Sequence, residues 1–480
     1  MKLNELIDCD INLEIKGLST NTRDLKPGDL FICIKGASAD RHNYIPQAIE
    51  KGAIALITNR DVDVSVPYVK VDDPDRYLDQ IYSRFYNHPE SKLKIIGVTG
   101  TDGKTSTATI IQQLLGDERC GYIGTNGYYC KGFKGKTDNT TPAKEELYYI
   151  FDGFVKNGCE YVAMETSSEG FYYGRTDGLS FVTGLLTNID SEHLNTHKTL
   201  ENYIDCKKQL FRQTIGYSIL NSNDKHFEDC IDACSKYLTY GYLTSDELQI
   251  CNTILFPDHS VYTYGYKGKQ YEIRTMLLGK FNAENLAAAI LALLSNGFKM
   301  EDLAKRTSNI RIEGRMEALD LGQDFYCLVD YAHTPNGLRR LYEFTTTLDV
   351  ERIITVIGQA GERDPYKRKE VGKIVADNSD LAIFTYEDPR NEAIENIMND
   401  ITVKIRDYNN YMIINDRHDA IAYAINNAKS KDLVLILGKG AENYQRLKEG
   451  VIYFSDIEEA TKAIKNRLAY YTEPTLLDKK

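Results

Sequence analysis

One stretch, residues 94–115, constrains the fold more than any other part of the chain. It reads KIIGVTGTDGKTSTATIIQQLL, a buried strand pattern that runs into a glycine-containing turn and then into a helical pattern. Such a turn brings backbone N–H groups, a helix N-terminus and the ammonium of Lys104 to one point. Groups of this kind bind a polyphosphate, so the stretch predicts an ATP site. Lys104 would reach the β- and γ-phosphates, and the Thr105 hydroxyl would ligate Mg²⁺.

The loop departs from the standard phosphate-binding pattern G-x-x-x-x-G-K-[ST]. Val98 stands where the first glycine of that pattern belongs. A glycine-rich strand-to-helix turn with a surface lysine is therefore an alternative interpretation of the same residues. The phosphate interpretation is favoured, because Gly100, Gly103, Lys104 and Thr105 stand together between strand and helix.

Composition excludes several classes of protein. The 480 residues are too many for one ordinary core and indicate about three domains. A formal net charge of −12 without a Lys/Arg-rich run argues against binding of nucleic acid. The 10 cysteines form no C-x-x-C pair, which favours reduced thiols and a cytoplasmic location. Since the chain shows neither a signal core nor an apolar run of membrane length, we expect no membrane span.

Apolar runs and turn residues predict domains at 1–90, 91–308 and 309–480. The first alternates short apolar runs with turns around a helical stretch from Ile45 to Lys51, and a linker follows at residues 86–92. In the second, residues 161–164 and 181–186 are typical of buried parallel strands, and polar residues follow each at the end where ligands collect.

The third domain repeats a strand-then-helix pattern. Its strands are CLVDYA, RIITVIG, LAIFTYE, YMIIND and DLVLILG, and helical patterns such as 369–376 and 392–405 follow them. This order indicates a doubly wound sheet of the dinucleotide-binding type. No G-x-G-x-x-G follows the first strand, so no nicotinamide cofactor is assigned.

A series of short motifs runs through nearly the whole chain in one order. It comprises TNTR, GDLFICIKG, DRHNYIPQAIEKGA, GVTGTDGKT, NTTPA, METSSEG, LLTNIDSEHL, HKTLENY, CKKQLF, LGKFNAEN, RIEGRMEAL, VDYAHTPNGL, GERDPYKR, TYEDPRNE and GKGAEN. With this series the chain resembles the Mur ligases, the ATP-dependent amide-forming enzymes of peptidoglycan precursor synthesis, and within them the MurE type. The resemblance implies an α/β fold of three domains. These are a small N-terminal nucleotide-sugar domain, a central P-loop-type ATPase domain with a mostly parallel sheet, and a C-terminal Rossmann-like domain for the incoming amino acid.

The resemblance also implies a reaction. Meso-diaminopimelate would be added to UDP-N-acetylmuramoyl-L-alanyl-D-glutamate through an acyl phosphate, with ATP and Mg²⁺. Catalytic roles fall to Lys104, Glu165, His193 and Lys207. Glu165 would join Thr105 on one Mg²⁺, His193 would ligate a second metal, and Lys207 would be an N6-carboxylysine, whose carbamate oxygens suit a metal. Without the resemblance, Lys207 is better interpreted as a surface lysine beside Lys208.

Three sets of binding residues are implied by the same match. ATP would be bound by Gly100, Thr101, Asp102, Gly103, Lys104, Thr105, Ser106, Asn188, Asn282, Asn285, Arg315, Asp330 and His333. The nucleotide sugar would be bound by Thr22, Thr140, Thr141, Ser167 and Arg175. The incoming amino acid would be bound by Arg363, Glu387, Asp388, Pro389, Arg390, Gly438 and Glu442. For Asp330 and His333, capping or interdomain hydrogen bonding is an equal alternative, and for Arg390 a structural ion pair is the alternative. The partners are expected to be small molecules, and the protein a monomer.

Several positions depart from the family pattern and leave the acceptor open. Asp102 and Glu169 replace the family's asparagine and histidine, and Glu192 and Lys198 replace its aspartate and glycine. Glu387-Asp388 replaces an aspartate-asparagine pair. The acceptor could therefore be L-lysine or another amine, since Glu387 and Asp388 could neutralise Arg390. A folylpolyglutamate synthetase shares the loop, but we would not expect it to carry TNTR or NTTPA. A non-catalytic nucleotide-sugar-binding paralogue would be expected to lose Lys104, Glu165, His193 or Lys207.

Overall fold

The computed structural model describes residues 1–35, 39–190, 194–363 and 365–472. The chain divides into two compact units. The first comprises Met1–Tyr240 and Ala288–Phe298, and the second comprises Gly241–Ala287 and Lys299–Lys480. Within the described residues, no helix has the length and apolar character that a membrane crossing requires. All 10 cysteines are free thiols.

The first unit begins with a small parallel sheet of four strands in sequential order. Its strands are β1 (Gly17–Ser19), β2 (Asp29–Ile32), β3 (Ala55–Thr58) and β4 (Tyr68–Lys70), and its helices are α1 (Leu3–Leu6), α2 (Ile45–Glu50) and α3 (Pro74–Phe85). β2 and β3 are buried along their whole length, because apolar clusters pack on the sheet. The predicted helix at 45–51 is confirmed as α2, and the predicted linker at 86–92 begins directly after α3.

A larger sheet follows in the same unit. Its strands are β5 (Lys94–Thr99), β6 (Cys120–Gly124), β7 (Gly127–Cys130), β8 (Phe133–Gly135), β9 (Tyr161–Glu165), β10 (Phe181–Leu186), β11 (Thr214–Asn221) and β12 (Tyr237–Gly241). Its helices are α4 (Lys104–Leu115), α5 (Lys144–Lys156), α6 (Ser168–Tyr172), α7 (Leu194–His197), α8 (Leu200–Arg212) and α9 (Phe227–Ile231). The strand order is β12-β11-β10-β5-β9-β6-β7-β8, parallel up to β6 and antiparallel beyond it.

The three central strands of this sheet, β9, β5 and β10, have their carboxyl ends at the same edge. β5 lies between β9 and β10 and is parallel to both. The two predicted buried strands are therefore confirmed, and their carboxyl ends flank the loop after β5. In parallel α/β sheets this edge is where ligands bind.

The second unit opens with an antiparallel meander that the sequence patterns did not predict. It consists of β13 (Leu248–Leu255), β14 (Ser260–Tyr266) and β15 (Lys269–Thr275). Two helices follow, α10 (Lys280–Ser295) and α11 (Met300–Ala304). The residues of α10 from Ala288 onward belong to the first unit.

The rest of the second unit is a six-stranded sheet with helices. Its strands are β16 (Glu317–Ala318), β17 (Tyr326–Asp330), β18 (Ile353–Gln359), β19 (Leu381–Tyr386), β20 (Tyr411–Ile413) and β21 (Leu433–Leu437), in the order β16-β17-β21-β18-β19-β20. Only β16 is antiparallel to its neighbour among these described strands. The helices are α12 (Pro335–Thr345), α13 (Tyr366–Asp377), α14 (Ile394–Thr402), α15 (Arg417–Asn427) and α16 (Asp456–Thr472), and a hairpin of β22 (Tyr444–Leu447) and β23 (Gly450–Tyr453) precedes α16.

All five predicted strand-then-helix units of this domain are present. β17, β18, β19 and β21 are mostly buried, and two apolar clusters pack on the sheet. The predicted helix at 392–405 is shorter, from Ile394 to Thr402. The three domain boundaries stay predictions.

Candidate functional site

The loop after β5 has the conformation that a phosphate-binding turn needs. Gly100 has φ +153° and Gly103 has φ +81°, both in the region that favours glycine. A Cβ on Gly100 would lie 1.8 Å from Thr187 Oγ1, so no side chain fits there. Gly103 then caps α4, whose first turn contains Lys104, Thr105 and Ser106. The N–H groups in the first turn of a helix are the donors that bind an anion in sites of this kind.

Two lysine ammonium groups converge on the start of this loop. Lys104 Nζ donates to the carbonyls of Gly100 and Thr101, each at 2.8 Å. Lys207 Nζ, from α8, donates to the same Gly100 carbonyl at 2.7 Å and lies 4.4 Å from the centre of the Tyr203 ring. Lys207 is only 1% exposed, so its interpretation as a surface lysine is wrong.

Glu165 at the end of β9 faces the first turn of α4. Its carboxylate accepts hydrogen bonds from the Thr105 hydroxyl at 2.9 Å, the Tyr122 hydroxyl at 2.5 Å and the Thr125 N–H at 3.0 Å. Burial, together with the Glu165 carboxylate, raises the pKa of Tyr122 well above its usual value, so this hydroxyl stays a donor. The structure thus brings together Thr105 and Glu165, and it adds Tyr122 and Thr125, which sequence reasoning missed.

The side-chain amide of Asn188 forms two hydrogen bonds with the backbone of the loop. Its Oδ1 accepts from the Asp102 N–H at 3.0 Å, and its Nδ2 donates to the Asp102 carbonyl at 3.1 Å. The hydroxyl of Thr101 lies 3.0 Å from that of Tyr203. The Asn188 amide is therefore engaged by the protein in this structure, and its contact with nucleotide stays a prediction.

One predicted metal ligand cannot be placed. His193 and the departure Glu192 lie outside the described residues. Among the residues that are described, no group of three or more His, Cys, Asp and Glu side chains is arranged to hold a metal ion. The oxygen donors that the structure brings together are those of Thr105 and Glu165.

Four of the five predicted nucleotide-sugar residues lie around the end of β9. Thr141 donates to the main-chain carbonyl of Glu165 at 3.1 Å and accepts from the Ser167 N–H at 2.9 Å. Arg175 donates to the Thr141 carbonyl at 2.9 Å. The Thr140 hydroxyl lies 3.1 Å from that of Thr125, which itself bonds Glu165.

Thr22, the fifth, lies in the small N-terminal domain. Its hydroxyl donates to Gln47 Oε1 at 2.8 Å, and Lys51 Nζ donates to its carbonyl at 2.5 Å. It lines a cavity of about 80 Å³ with Asn21, Arg23, Phe31, Arg41 and Tyr44. The structure does not group Thr22 with the residues around Glu165.

The remaining predicted ATP residues belong to the second unit. Asn285 Nδ2 donates to Asn282 Oδ1 at 3.0 Å. The buried carboxylate of Asp330 accepts from the N–H groups of Met316 and Ala332, at 2.7 and 2.8 Å. This is the hydrogen bonding that the capping alternative describes, and burial raises the pKa of Asp330.

Arg315 and His333 both contact Tyr331, next to Asp330. The Arg315 guanidinium lies 4.5 Å from the centre of the Tyr331 ring. His333 Nδ1 lies 2.8 Å from the Tyr331 carbonyl, and burial lowers the pKa of His333, which favours the neutral ring. Contact of either side chain with nucleotide stays a prediction.

A cavity of about 460 Å³, here called the acceptor cavity, lies at the carboxyl ends of the strands of the C-terminal sheet. Six predicted residues line it, namely Arg363, Glu387, Asp388, Arg390, Gly438 and Glu442. Pro389 is buried and is not part of the lining. His333, for which nucleotide contact and capping or interdomain hydrogen bonding are equal alternatives from the sequence, also lines the cavity. The lining residues that sequence reasoning missed are Tyr331, Gln359, Ala360, Lys367, Tyr444 and Arg446.

The charged groups of the acceptor cavity are only partly paired. Asp388 accepts from Lys439 Nζ at 3.2 Å, and Lys439 also contacts Glu442 at 3.1 Å. Glu387 Oε2 and Arg390 Nε are buried and have no hydrogen-bond partner among the described residues. Burial raises the pKa of Glu387 to about 7. Within the described residues, no carboxylate forms an ion pair with Arg390. This does not support the alternative in which Arg390 serves a structural ion pair.

Two departures from the family pattern have a visible structural setting. Lys198 has φ +71°, a conformation that glycine adopts more readily than a residue with a side chain. Glu169 accepts from the Thr196 hydroxyl at 3.2 Å.

Comparison with known proteins places these residues in one family. Profiles described as "Mur ligase family, catalytic domain", "Mur ligase middle domain" and "Mur ligase, glutamate ligase domain" match residues 14–87, 98–293 and 314–440. A UDP-N-acetylmuramoyl-L-alanyl-D-glutamate--2,6-diaminopimelate ligase from Fusobacterium nucleatum is 38% identical over 95% of this chain and 96% of its own. The chain belongs to the Mur ligase family.

Other Mur ligases match over a similar length. A protein from Clostridium acetobutylicum, UDP-N-acetylmuramoyl-L-alanyl-D-glutamate--2,6-diaminopimelate ligase 1, is 34% identical over 96% of this chain and 97% of its own. A solved structure of a UDP-N-acetylmuramoyl-L-alanyl-D-glutamate--2,6-diaminopimelate ligase superposes with a TM-score of 0.73, at 27% identity, over 98% of this chain and 99% of that one. These matches confirm the three-domain α/β fold expected from the motifs.

Proposed function

We propose that this Mur ligase is an ATP-dependent amide ligase that adds 2,6-diaminopimelate to UDP-N-acetylmuramoyl-L-alanyl-D-glutamate in peptidoglycan precursor synthesis. The observation that carries the proposal is that the chain has both a phosphate-binding turn and the acceptor cavity. In the turn, the Thr105 hydroxyl donates a hydrogen bond to Glu165. In the cavity, Arg390 forms no ion pair with any of the described residues. The match to the N-terminal domain at 14–87 argues against a folylpolyglutamate synthetase.

The reaction has two balanced steps. The γ-phosphoryl group of ATP passes to the D-glutamyl carboxylate, which gives an acyl phosphate and ADP. An amino group of the acceptor then attacks the carbonyl carbon, and phosphate leaves as the amide bond forms. Lys104 and the N–H groups of the first turn of α4 would hold the phosphates, since both are directed at the loop.

Mg²⁺ would be held by Thr105 and Glu165, whose oxygens are the donors this ion prefers, and would screen the negative charges of phosphoryl group and carboxylate. Tyr122 and Thr125 orient the Glu165 carboxylate toward Thr105. The second metal and its ligand His193 stay predictions.

A carbamate at Lys207 is compatible with its setting. Reaction of the neutral amine with CO₂ leaves one N–H on the nitrogen and releases a proton. The hydrogen bond to the Gly100 carbonyl, 2.7 Å from Nζ, can therefore persist after modification. The carbamate oxygens would add two acceptors next to the loop, where an ammonium would repel a metal.

In the acceptor cavity, Arg390 and Arg363 would bind carboxylate, and Glu387 and Glu442 would bind ammonium. L-lysine is the second candidate acceptor, favoured by the two adjacent acids Glu387 and Asp388. Asp388 faces Lys439, however, so it does not neutralise Arg390 directly. The nucleotide sugar would contact Thr22, Thr140, Thr141, Ser167 and Arg175. A monomeric state and a cytoplasmic location stay predictions from the sequence.

One experiment tests the function. The protein is incubated with ATP, Mg²⁺ and the UDP-muramoyl dipeptide and with 2,6-diaminopimelate, L-lysine or L-ornithine, and the products are identified by mass spectrometry. We expect ADP, phosphate and the diaminopimelate adduct. Phosphate release without an amide product from any amine would contradict the proposal.

A further inference from the structure

Arg417 is a fully buried arginine at the start of α15 that the proposed reaction leaves without a role. Its Nε and Nη2 donate to the two carboxylate oxygens of Asp456, at 2.7 and 2.6 Å, and Nη2 also donates to the Leu437 carbonyl at 2.9 Å. Asp456 is buried as well. A buried ion pair is often no more stabilising than apolar residues of the same volume, so stability alone is a weak reason for this pair.

The hydrogen bond to Leu437 connects Arg417 with the acceptor cavity. Leu437 ends β21, and the next residue, Gly438, has φ +115° and lines the cavity. A Cβ on Gly438 would lie 2.6 Å from Glu387 Oε2, so the backbone turn and this carboxylate are in contact. Arg417 therefore fixes the turn against which Glu387 packs.

The charge of Arg417 also acts on Glu387. Burial raises the pKa of Glu387 to about 7, Arg417 and Lys439 oppose this rise, and Glu442 and Asp388 add to it. The Glu387 carboxylate also helps to raise the pKa of Tyr331. The other charged or titratable side chains that line the cavity are Arg363, Lys367, Arg390, Arg446 and His333. Glu387 is consequently ionised above about pH 7 and neutral below it.

We propose that Arg417 is a positioning residue for the acceptor site: it holds the Leu437–Gly438 turn against Glu387 and supplies a positive charge that favours the carboxylate, so that Glu387 accepts a hydrogen bond from an ammonium group of the acceptor. Arg417 Nη1 and Glu387 Oε2 both lack a hydrogen-bond partner among the described residues, which leaves Glu387 Oε2 available to a ligand. This inference rests on the proposed function, because it takes the acceptor to be a diamino acid.

The test is the pH dependence of KM for 2,6-diaminopimelate, measured with kcat between pH 6 and pH 9. With a midpoint near pH 7, KM of the unchanged protein should rise about tenfold from pH 8 to pH 6. Arg417 is the main charge that opposes the rise in the pKa of Glu387, and loss of such a charge raises a carboxyl pKa by about one unit, so Arg417→Met should move the midpoint to about pH 8 and raise KM about threefold at pH 7.5. Arg417→Lys keeps the charge and should restore most of the profile.

Two further variants separate this role from a structural one. Glu387→Gln should remove the rise at low pH, and adding Arg417→Met to it should leave KM independent of pH. Asp456→Asn leaves the Arg417 charge without its partner and should move the midpoint to lower pH, opposite to Arg417→Met. If circular dichroism shows that Arg417→Met does not fold, the direction of the Asp456→Asn shift decides.

Three results would overturn the inference. They are a folded Arg417→Met protein with the original midpoint, an Asp456→Asn midpoint that does not fall, and a KM that stays constant from pH 6 to pH 8 in the unchanged protein. In each case amide formation continues, so the proposed function survives. Absence of an amide product at every pH would refute the proposed function and this inference together. Arg406→Ala, an exposed site in the same domain, is the control and should keep the original profile.

Discussion

Arg390→Ala is the substitution that distinguishes 2,6-diaminopimelate from L-lysine as the acceptor. The two amino acids carry the same two amino groups, and only diaminopimelate has a second carboxylate. Arg390 lines the acceptor cavity, its Nε has no hydrogen-bond partner among the described residues, and φ +54° sets its backbone in an uncommon conformation. The Arg390 N–H donates to the Arg446 carbonyl at 3.0 Å, which holds that conformation.

The size of the effect follows from this setting. The Arg390 guanidinium lies in a cavity and forms no ion pair with a carboxylate of the described residues. It can therefore form a bidentate hydrogen-bonded pair with a carboxylate of the acceptor. Truncating one partner of a buried charged hydrogen bond costs about 2 to 5 kcal/mol, which corresponds to a factor of about 30 to several thousand. Because Arg390 is half-buried, we expect the lower end of this range. Arg390→Ala should thus lower kcat/KM for diaminopimelate about 30-fold or more and change that for lysine little.

The assay measures phosphate release with each amine at fixed ATP and UDP-muramoyl dipeptide, with mass spectrometry of the product. Arg406→Ala is the matched control, since it removes an exposed arginine of the same domain. The assignment of Arg390 is refuted if the unchanged protein uses lysine as well as diaminopimelate, or if Arg390→Ala leaves the ratio of the two unchanged. The ligase assignment would survive either result.

Four other substitutions test the remaining parts of the site. Lys104→Ala and Glu165→Ala should each lower kcat at least 100-fold with an unchanged circular dichroism spectrum, because they serve the charge on the transferred phosphoryl group, and normal phosphate release would exclude these roles. Lys207→Ala should be inactive and partly rescued by acetate if a carbamate acts there, whereas an active variant would reject the carbamate. Gly438→Ala combines φ +115° with a Cβ 2.6 Å from Glu387 Oε2, so KM for the acceptor should rise, and an unchanged KM would show that this carboxylate does not bind it.

The sequence predicted the parallel strands well, because strands buried on both faces read as continuous apolar runs. β10 and β19 are examples, and both lie where the apolar runs placed them. The meander of β13 to β15 was missed, although Tyr262 and Tyr264 alternate with less buried residues in the period of a half-buried strand. Attention to that period and to the Lys267-Gly268 turn would have revealed it.

Side chains that act through tertiary contacts were harder to predict. Tyr122 lies 43 positions from its partner Glu165, and Arg417 lies 39 positions from Asp456. Nothing local marks either residue, since a tyrosine in a strand is normal core and an arginine at a helix start is normally exposed. Lys207 shows the same limit, because burial of a lysine is decided by its neighbours in space.

The charge balance of the acceptor cavity also argues for diaminopimelate. Four basic side chains, Arg363, Lys367, Arg390 and Arg446, line it together with three acidic ones, Glu387, Asp388 and Glu442. Lys439 is not part of the lining, and its ammonium forms an ion pair with Asp388. The negative charge of Asp388, which departs from the family pattern, is therefore balanced and does not make the cavity more negative. Lysine would bring a net positive charge into this basic surrounding, whereas diaminopimelate brings equal numbers of carboxylates and ammonium groups. Removing the offset by Lys439→Met should therefore leave Asp388 uncompensated and shift the preference toward lysine, measured as the ratio of kcat/KM for the two amines.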